Sequence, residues 1–211
     1  LDSTSSRASN KADENLWPDQ PMGVDIAGSI QTVEATSRED LMDYLNKQYT
    51  SSNTVLVVTG NIDEKIVVDI AKKSFEGFRE GDPLGFKKST YNSNGALTVL
   101  DKMETNQTHL TLAFKNYSMK DLSRYSSSIL SVILGGGMTS RLFEQVREKR
   151  GLAYSVSSNS HFYSDCGVFY IDAGVAPENT EQTFEVIIEE LNNLRKNLNS
   201  DEVSSAKAVS Y

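Results

Sequence analysis

The 211-residue chain has a single cysteine, Cys166, which excludes an internal disulfide and a metal cluster built from cysteines. Histidine is nearly as scarce. His109 and His161 are the only two, and neither belongs to a His-x-x-Glu-His or His-Glu-x-x-His helical pair, so these residues offer no zinc site of their own. No apolar run approaches the roughly 20 residues needed to cross a bilayer. Residues 1–10 lack both the basic flank and the apolar stretch of a signal peptide. Basic clusters are missing as well: 21 Lys and Arg stand against 29 Asp and Glu, a net charge of −8. The attraction that dominates binding to nucleic acid or to anionic membranes is therefore absent, and neither is expected as a partner. No serine sits in a Gly-x-Ser-x-Gly elbow.

What remains is an ordinary globular composition, 38% apolar and 24% charged. At roughly 150 residues per domain the length suits one large domain or two small ones. The sequence starts at Leu rather than Met, and its first recognisable feature is a Trp17-Pro18 turn. At the other end Asp201 reads as the N-cap of a helix through Val203, Ala206 and Val209 that meets no stop signal. The sequence therefore reads as a segment of a longer protein.

Along the chain, Ser37 and Asp40 have capping-box spacing before a helix carrying Leu41, Tyr44, Leu45 and Tyr49. The β-branched run 54–59 predicts a strand covered on both faces, and Asp63 caps a helix with a stripe of Ile66, Val67, Ile70, Ala71 and Phe75. Residues 79–95 have linker composition. Beyond them, 96–100 and 107–115 predict a strand pair, followed by a helix through Leu122, Tyr125, Ile129 and Ile133 that ends at Gly135, Gly136 and Gly137. A second helix, from about Thr139, turns Leu142, Phe143 and Val146 inward and closes at Gly151. Strands over 153–163 and 168–175 follow, joined by a turn at 164–167, then a helix from Thr180.

His109 and His161 alternate with polar residues and read as partly exposed strand histidines, and Cys166 has no basic neighbour to activate it. The three glycines lie between helices, the wrong context for a phosphate loop. Two readings stay open for them: a tight turn needing positive φ, or bare backbone close to a bound chain.

The densest signal is residues 134–154, LGGGMTSRLFEQVREKRGLAY. This block resembles the second-domain signature of the inverted-motif zinc metallopeptidases, the insulinase, pitrilysin and mitochondrial processing peptidase group, most of all their bacterial processing-peptidase-like members. LWPDQPMG at 16–23, SREDL at 37–41, 53–61, Ala173-Gly174 and Pro177-Glu178 are similar in the same order. The resemblance implies an α+β fold of antiparallel sheets with helices packed on one face, in a two-domain repeat enclosing a peptide chamber. Residues 1–78 would be the C-terminal part of the first domain, 79–95 the linker, and 96–211 the N-terminal part of the second, substrate-side domain. Zinc would be held by residues upstream of Leu1 and by none in this segment, so the isolated segment is expected to be inactive.

The family's Arg and Tyr, seven apart, match Arg147 and Tyr154. The resemblance gives them a catalytic role as donors to a peptide carbonyl or to the oxyanion formed on it. It gives Gly135, Gly136 and Gly137 a part in substrate binding. Arg141, Glu144, Glu148, Lys149 and Arg150 read as a solvated helix face. The function implied is that of a zinc-dependent endopeptidase acting on peptides or short unfolded proteins, with room for a homo- or heterodimer. The alternatives are a non-catalytic peptide-binding or structural subunit of the same family, and an acidic interaction module with the fold but no chamber. The compartment stays open, with the cytoplasm favoured.

Overall fold

The candidate residues are carried by a three-stranded antiparallel sheet of order β1-β3-β2, in a computed structural model that describes residues 3–82, 84–91, 95 and 97–210. The strands are β1 (Thr108–Asn116), β2 (Ala153–Phe162) and β3 (Gly167–Val175). β3 takes the centre because its run Val168, Phe169, Tyr170 and Ile171 is apolar on both faces, and only a central strand buries both. It pairs with β1 from Thr108 opposite Val175 to Asn116 opposite Gly167, and with β2 from Phe162 opposite Gly167.

One face of the sheet meets α5 (Arg124–Gly135), α6 (Thr180–Asn197) and the short helix 141–148, with Ala206 of α7 (Ser200–Val209) at the margin. There Ile171 and Val175 meet Leu134, Leu142, Val146 and Ile187, all wholly buried. Each such side chain contributes about 1.5–3 kcal/mol of transfer free energy. The opposite face is covered in part by α1 (Thr4–Leu16), whose end inserts Trp17 beside Val168, Tyr170 and Cys166. Trp17 stacks on Tyr91 at 5.6 Å, and the Tyr170 hydroxyl donates to Asp13 of α1.

The described residues form two compact units, one made of residues through Asp25 with those from Lys88 onward, the other Ile26–Lys87. The second holds α2 (Ile30–Ala35), α3 (Arg38–Gln48) and α4 (Glu64–Ser74). The capping box at Ser37 and Asp40 is present, and Asp63 accepts from the amides of Lys65 and Ile66 at 2.9 and 3.3 Å. Residues 54–59, however, form no strand, and Val55 is 86% exposed. A strand exists only by pairing, and no described segment pairs with this run. The α4 stripe is likewise uncovered at Ile66, Ile70 and Phe75.

Three further expectations need correction. Ala96 lies outside the described residues, and Leu97, Val99 and Leu100 are exposed and unpaired: β1 pairs with β3, and no described strand pairs with its other edge. The cap of α7 is Asn199, not Asp201, because its Oδ1 accepts both the Asp201 and the Glu202 amides at 2.9 Å. The helix expected from Thr139 starts at residue 141 and is a π-helix over most of its length.

So much uncovered apolar surface predicts that the 211-residue chain self-associates. Light scattering is expected to show a mass rising with concentration above that of the monomer. A monodisperse monomer across the range would contradict this.

Candidate active site

Arg147 and Tyr154 occupy the two arms of one turn, and each arm departs from regular structure. Arg147 lies in the π segment Phe143–Glu148, where the Lys149 amide reaches back five residues to the Glu144 carbonyl at 2.9 Å. π turns are rare and concentrate at functional sites. Leu142 and Val146, wholly buried, fix the inner side of this helix and leave Arg147 on the outer side. Its guanidinium carbon stands 5.0 Å from the centre of the Phe143 ring. Gly151 then reverses the chain at φ +61°, a conformation that costs any other residue strain. The Gly151 amide donates to the Arg147 carbonyl at 3.1 Å and the Leu152 amide to Val146 at 2.9 Å. Both bonds reach one residue further back than in the usual glycine cap, as the wide turn requires.

The second arm is a β-bulge. Ala153 lies opposite Val175 and Ser155 opposite Gly174, so Tyr154 is the extra residue in β2. Regular alternation would send Tyr154 to the buried face with Val156 and Ser158. The bulge turns it out, 65% exposed, while Ala153 and Val156 both stay buried. Neither the Tyr154 hydroxyl nor the Arg147 guanidinium has a hydrogen-bond or ion-pair partner among the described residues, so both donors are free.

The glycines divide. None of Gly135, Gly136 and Gly137 has positive φ, which removes the positive-φ turn as their explanation. Gly135 is buried, and a Cβ there would lie 2.3 Å from the Ser158 amide nitrogen. It completes a row, Ser127, Ser131 and Gly135, along which α5 closes on β2; the Ser158 hydroxyl donates to the Ser131 carbonyl at 2.9 Å and Ser127 bonds Ser160 at 2.9 Å. Gly136 and Gly137 are exposed, and a Cβ on Gly137 would meet nothing within 4 Å.

Arg141 is not part of a solvated face. Its Nε donates to Glu202 Oε1 at 2.6 Å, and one terminal nitrogen donates to Glu202 Oε2 at 2.7 Å and to the Asn197 carbonyl at 3.0 Å. Glu144, Glu148, Lys149 and Arg150 are exposed.

On the α1 side of the sheet a cleft of about 370 Å³ is lined by Ser5, Ser9, His109, Thr111, Ser157 and Asp172 among others. Asp172 accepts from the Thr111 hydroxyl at 2.7 Å. Burial raises its carboxyl above the usual carboxylate range, against the opposing effects of that bond and of His161 and His109. An acid whose pKa is higher folded than unfolded stabilises the fold at low pH and loses that contribution as pH rises through the folded value. Asp172→Asn is therefore expected to raise the urea midpoint at about pH 7, with the gain closing toward about pH 3. An equal gain at both would contradict the assignment. Cys166 is buried, and burial pushes its thiol up, away from nucleophilic use.

Among the described residues no three His, Cys, Asp or Glu side chains are grouped to hold a metal ion. No described helix is long and apolar enough to cross a membrane.

Residues 35–210 match the family model described as the peptidase M16 inactive domain. A Rickettsia felis protein named an uncharacterized zinc protease is 34% identical over 194 residues, covering 92% of this chain and 46% of that protein. A Bacillus subtilis protein named uncharacterized zinc protease YmxG is 33% identical over 187 residues, covering 88% of this chain and 45% of that protein. The chain thus spans about half the length of the curated relatives it matches. A solved peptidase M16 inactive domain from Pseudomonas fluorescens superposes with a TM-score of 0.84 at 24% identity, covering 97% of this chain and 50% of that one. A chain of Complex III2 from Candida albicans gives a TM-score of 0.85 at 18% identity, a likeness of fold. An α+β sheet-and-helix frame, a family match over most of the sequence and zinc-protease relatives agree: the chain belongs to the peptidase M16 family, through its inactive domain.

Proposed function

We propose that this chain is the substrate-side part of a zinc-dependent endopeptidase that hydrolyses peptides or short unfolded proteins, with its zinc held by residues elsewhere in the full-length protein. The observation that carries the reading is the paired irregularity around Gly151, a π turn and a bulge that present Arg147 and Tyr154 outward with uncommitted donors. A guanidinium and a phenol hydroxyl on one turn suit a peptide carbonyl, and they suit better the oxyanion that forms on it. In this reading Arg147 and Tyr154 orient the carbonyl and take up its developing charge, and the exposed backbone at Gly136 and Gly137 borders the bound chain. Zinc-protease relatives support the peptidase class. Residues 1–78 and 96–211 are then parts of two successive peptidase-like domains joined through 79–95. The test is turnover of the full-length protein with Arg147→Ala and Tyr154→Phe, metal content being measured alongside.

A further inference from the structure

We propose that Arg141 and Glu202 pin the winding register of the π segment and thereby aim Arg147, an inference that rests on the role proposed for Arg147. A π turn holds more residues per turn than an α-helix and is rare, so what holds the two ends of this one matters. The C-terminal end is held by the Gly151 and Leu152 amides and by Arg150, whose guanidinium donates to the Gln145 carbonyl at 2.9 Å. At the N-terminal end Leu142 supplies burial, which resists withdrawal from the core but resists rotation about the helix axis weakly. The directional hold there is Arg141.

Its planar fork meets both oxygens of Glu202 and the carbonyl of Asn197, the last residue of α6. The Arg141 side chain is only 16% exposed, whereas the Lys149–Glu144 pair further along the helix is about half exposed on each side. Glu202 is itself fixed, since its Oε2 accepts the Asn199 amide at 3.2 Å within the capping box of α7. The pin is thus anchored where α6 ends and α7 begins. Without it the segment is free to rewind toward α geometry. Dropping the extra residue turns everything downstream by one position, about 100° about the axis. Arg147 then points away from its place beside the Gly151 turn. Arg141 is a positioning residue: it acts through Arg147.

Two readouts on the full-length protein test this. Lys149 donates the five-residue amide bond of the π register, and Leu152 the six-residue bond that closes the turn after it. In Arg141→Ala their hydrogen exchange is expected to quicken by about tenfold or more, with the β3 amides unchanged. The same substitution is expected to lower kcat/KM by about 10- to 100-fold, and to add nothing in an Arg147→Ala background. Arg141→Lys is expected not to rescue, because an ammonium cannot reproduce the two-pronged contact. If Arg141→Ala does not fold, Glu202→Gln, which removes the charge and keeps the shape, gives the same two readouts. Unchanged exchange at Lys149 and Leu152 overturns the proposal, and so does a loss of activity of equal size in both backgrounds, the mark of a merely structural role. Should Arg147→Ala leave turnover intact, the role given to Arg147 fails, and the exchange result still decides the pin.

Discussion

In the full-length protein, Arg147→Ala combined with Tyr154→Phe is expected to keep the fold and the metal and to lose turnover by at least about 10²-fold. The two side chains are exposed and share no hydrogen bond with the rest of the described chain, so their removal leaves stability within about 0.5 kcal/mol. Tyr154→Phe deletes one hydroxyl and nothing else. Removing one donor to an oxyanion costs about 10²- to 10³-fold in kcat. Two donors that serve one oxygen act together, so the double variant is expected to fall short of the product of the singles. The loss is expected in kcat rather than KM, because a neutral carbonyl draws less from these donors than the charge that develops on it. Unchanged kcat and KM would reduce both residues to surface side chains.

The largest effect on stability is expected at Gly135. A Cβ there lies 2.3 Å from the Ser158 nitrogen, 2.7 Å from the Ser157 carbonyl carbon and 2.8 Å from the Ser158 hydroxyl. The first two are backbone atoms of a laddered strand, Ser157 opposite Asp172 and Ser158 opposite Ile171, and they cannot step aside. α5 must back away instead, which strains the Ser131–Ser158 and Ser127–Ser160 bonds and loosens Ile133 and Leu134 in the core. Overpacking of this kind costs about 1–3 kcal/mol and more where backbone is involved. Against a usual total of about 5–15 kcal/mol that is a severe loss, and the gain of about 1 kcal/mol in helix propensity does not offset it. Gly137→Ala has open space and is expected to stay within about 0.5 kcal/mol of the parent chain. Urea unfolding followed by circular dichroism compares the two; equal midpoints would contradict the close-approach account.

The periodic elements were legible because their residues alternate or recur as their environments demand. β2, β3, α5 and α6 fall where the pattern places them. Arg147 and Tyr154 stand out in the sequence as candidates, while the geometry that presents them does not. Its trace is there to read: Ala153 and Val156 are both apolar and three apart, a spacing that a regular strand cannot bury on one face. The π turn has no such mark, because it depends on ends fixed by distant groups, and Glu202 stands 61 residues from Arg141. Arg141 itself was hidden among exposed charges of the same helix. The run 54–59 shows the opposite limit. Its composition is that of a buried strand, and composition does not supply the neighbouring strand.

The most direct test of the central claim is zinc content and peptide hydrolysis measured side by side on the full-length protein and on the 211-residue chain. The account predicts about one zinc and cleavage for the full-length protein, and neither for the chain. A full-length protein without zinc, or a purified chain that cleaves peptides by itself, would contradict it.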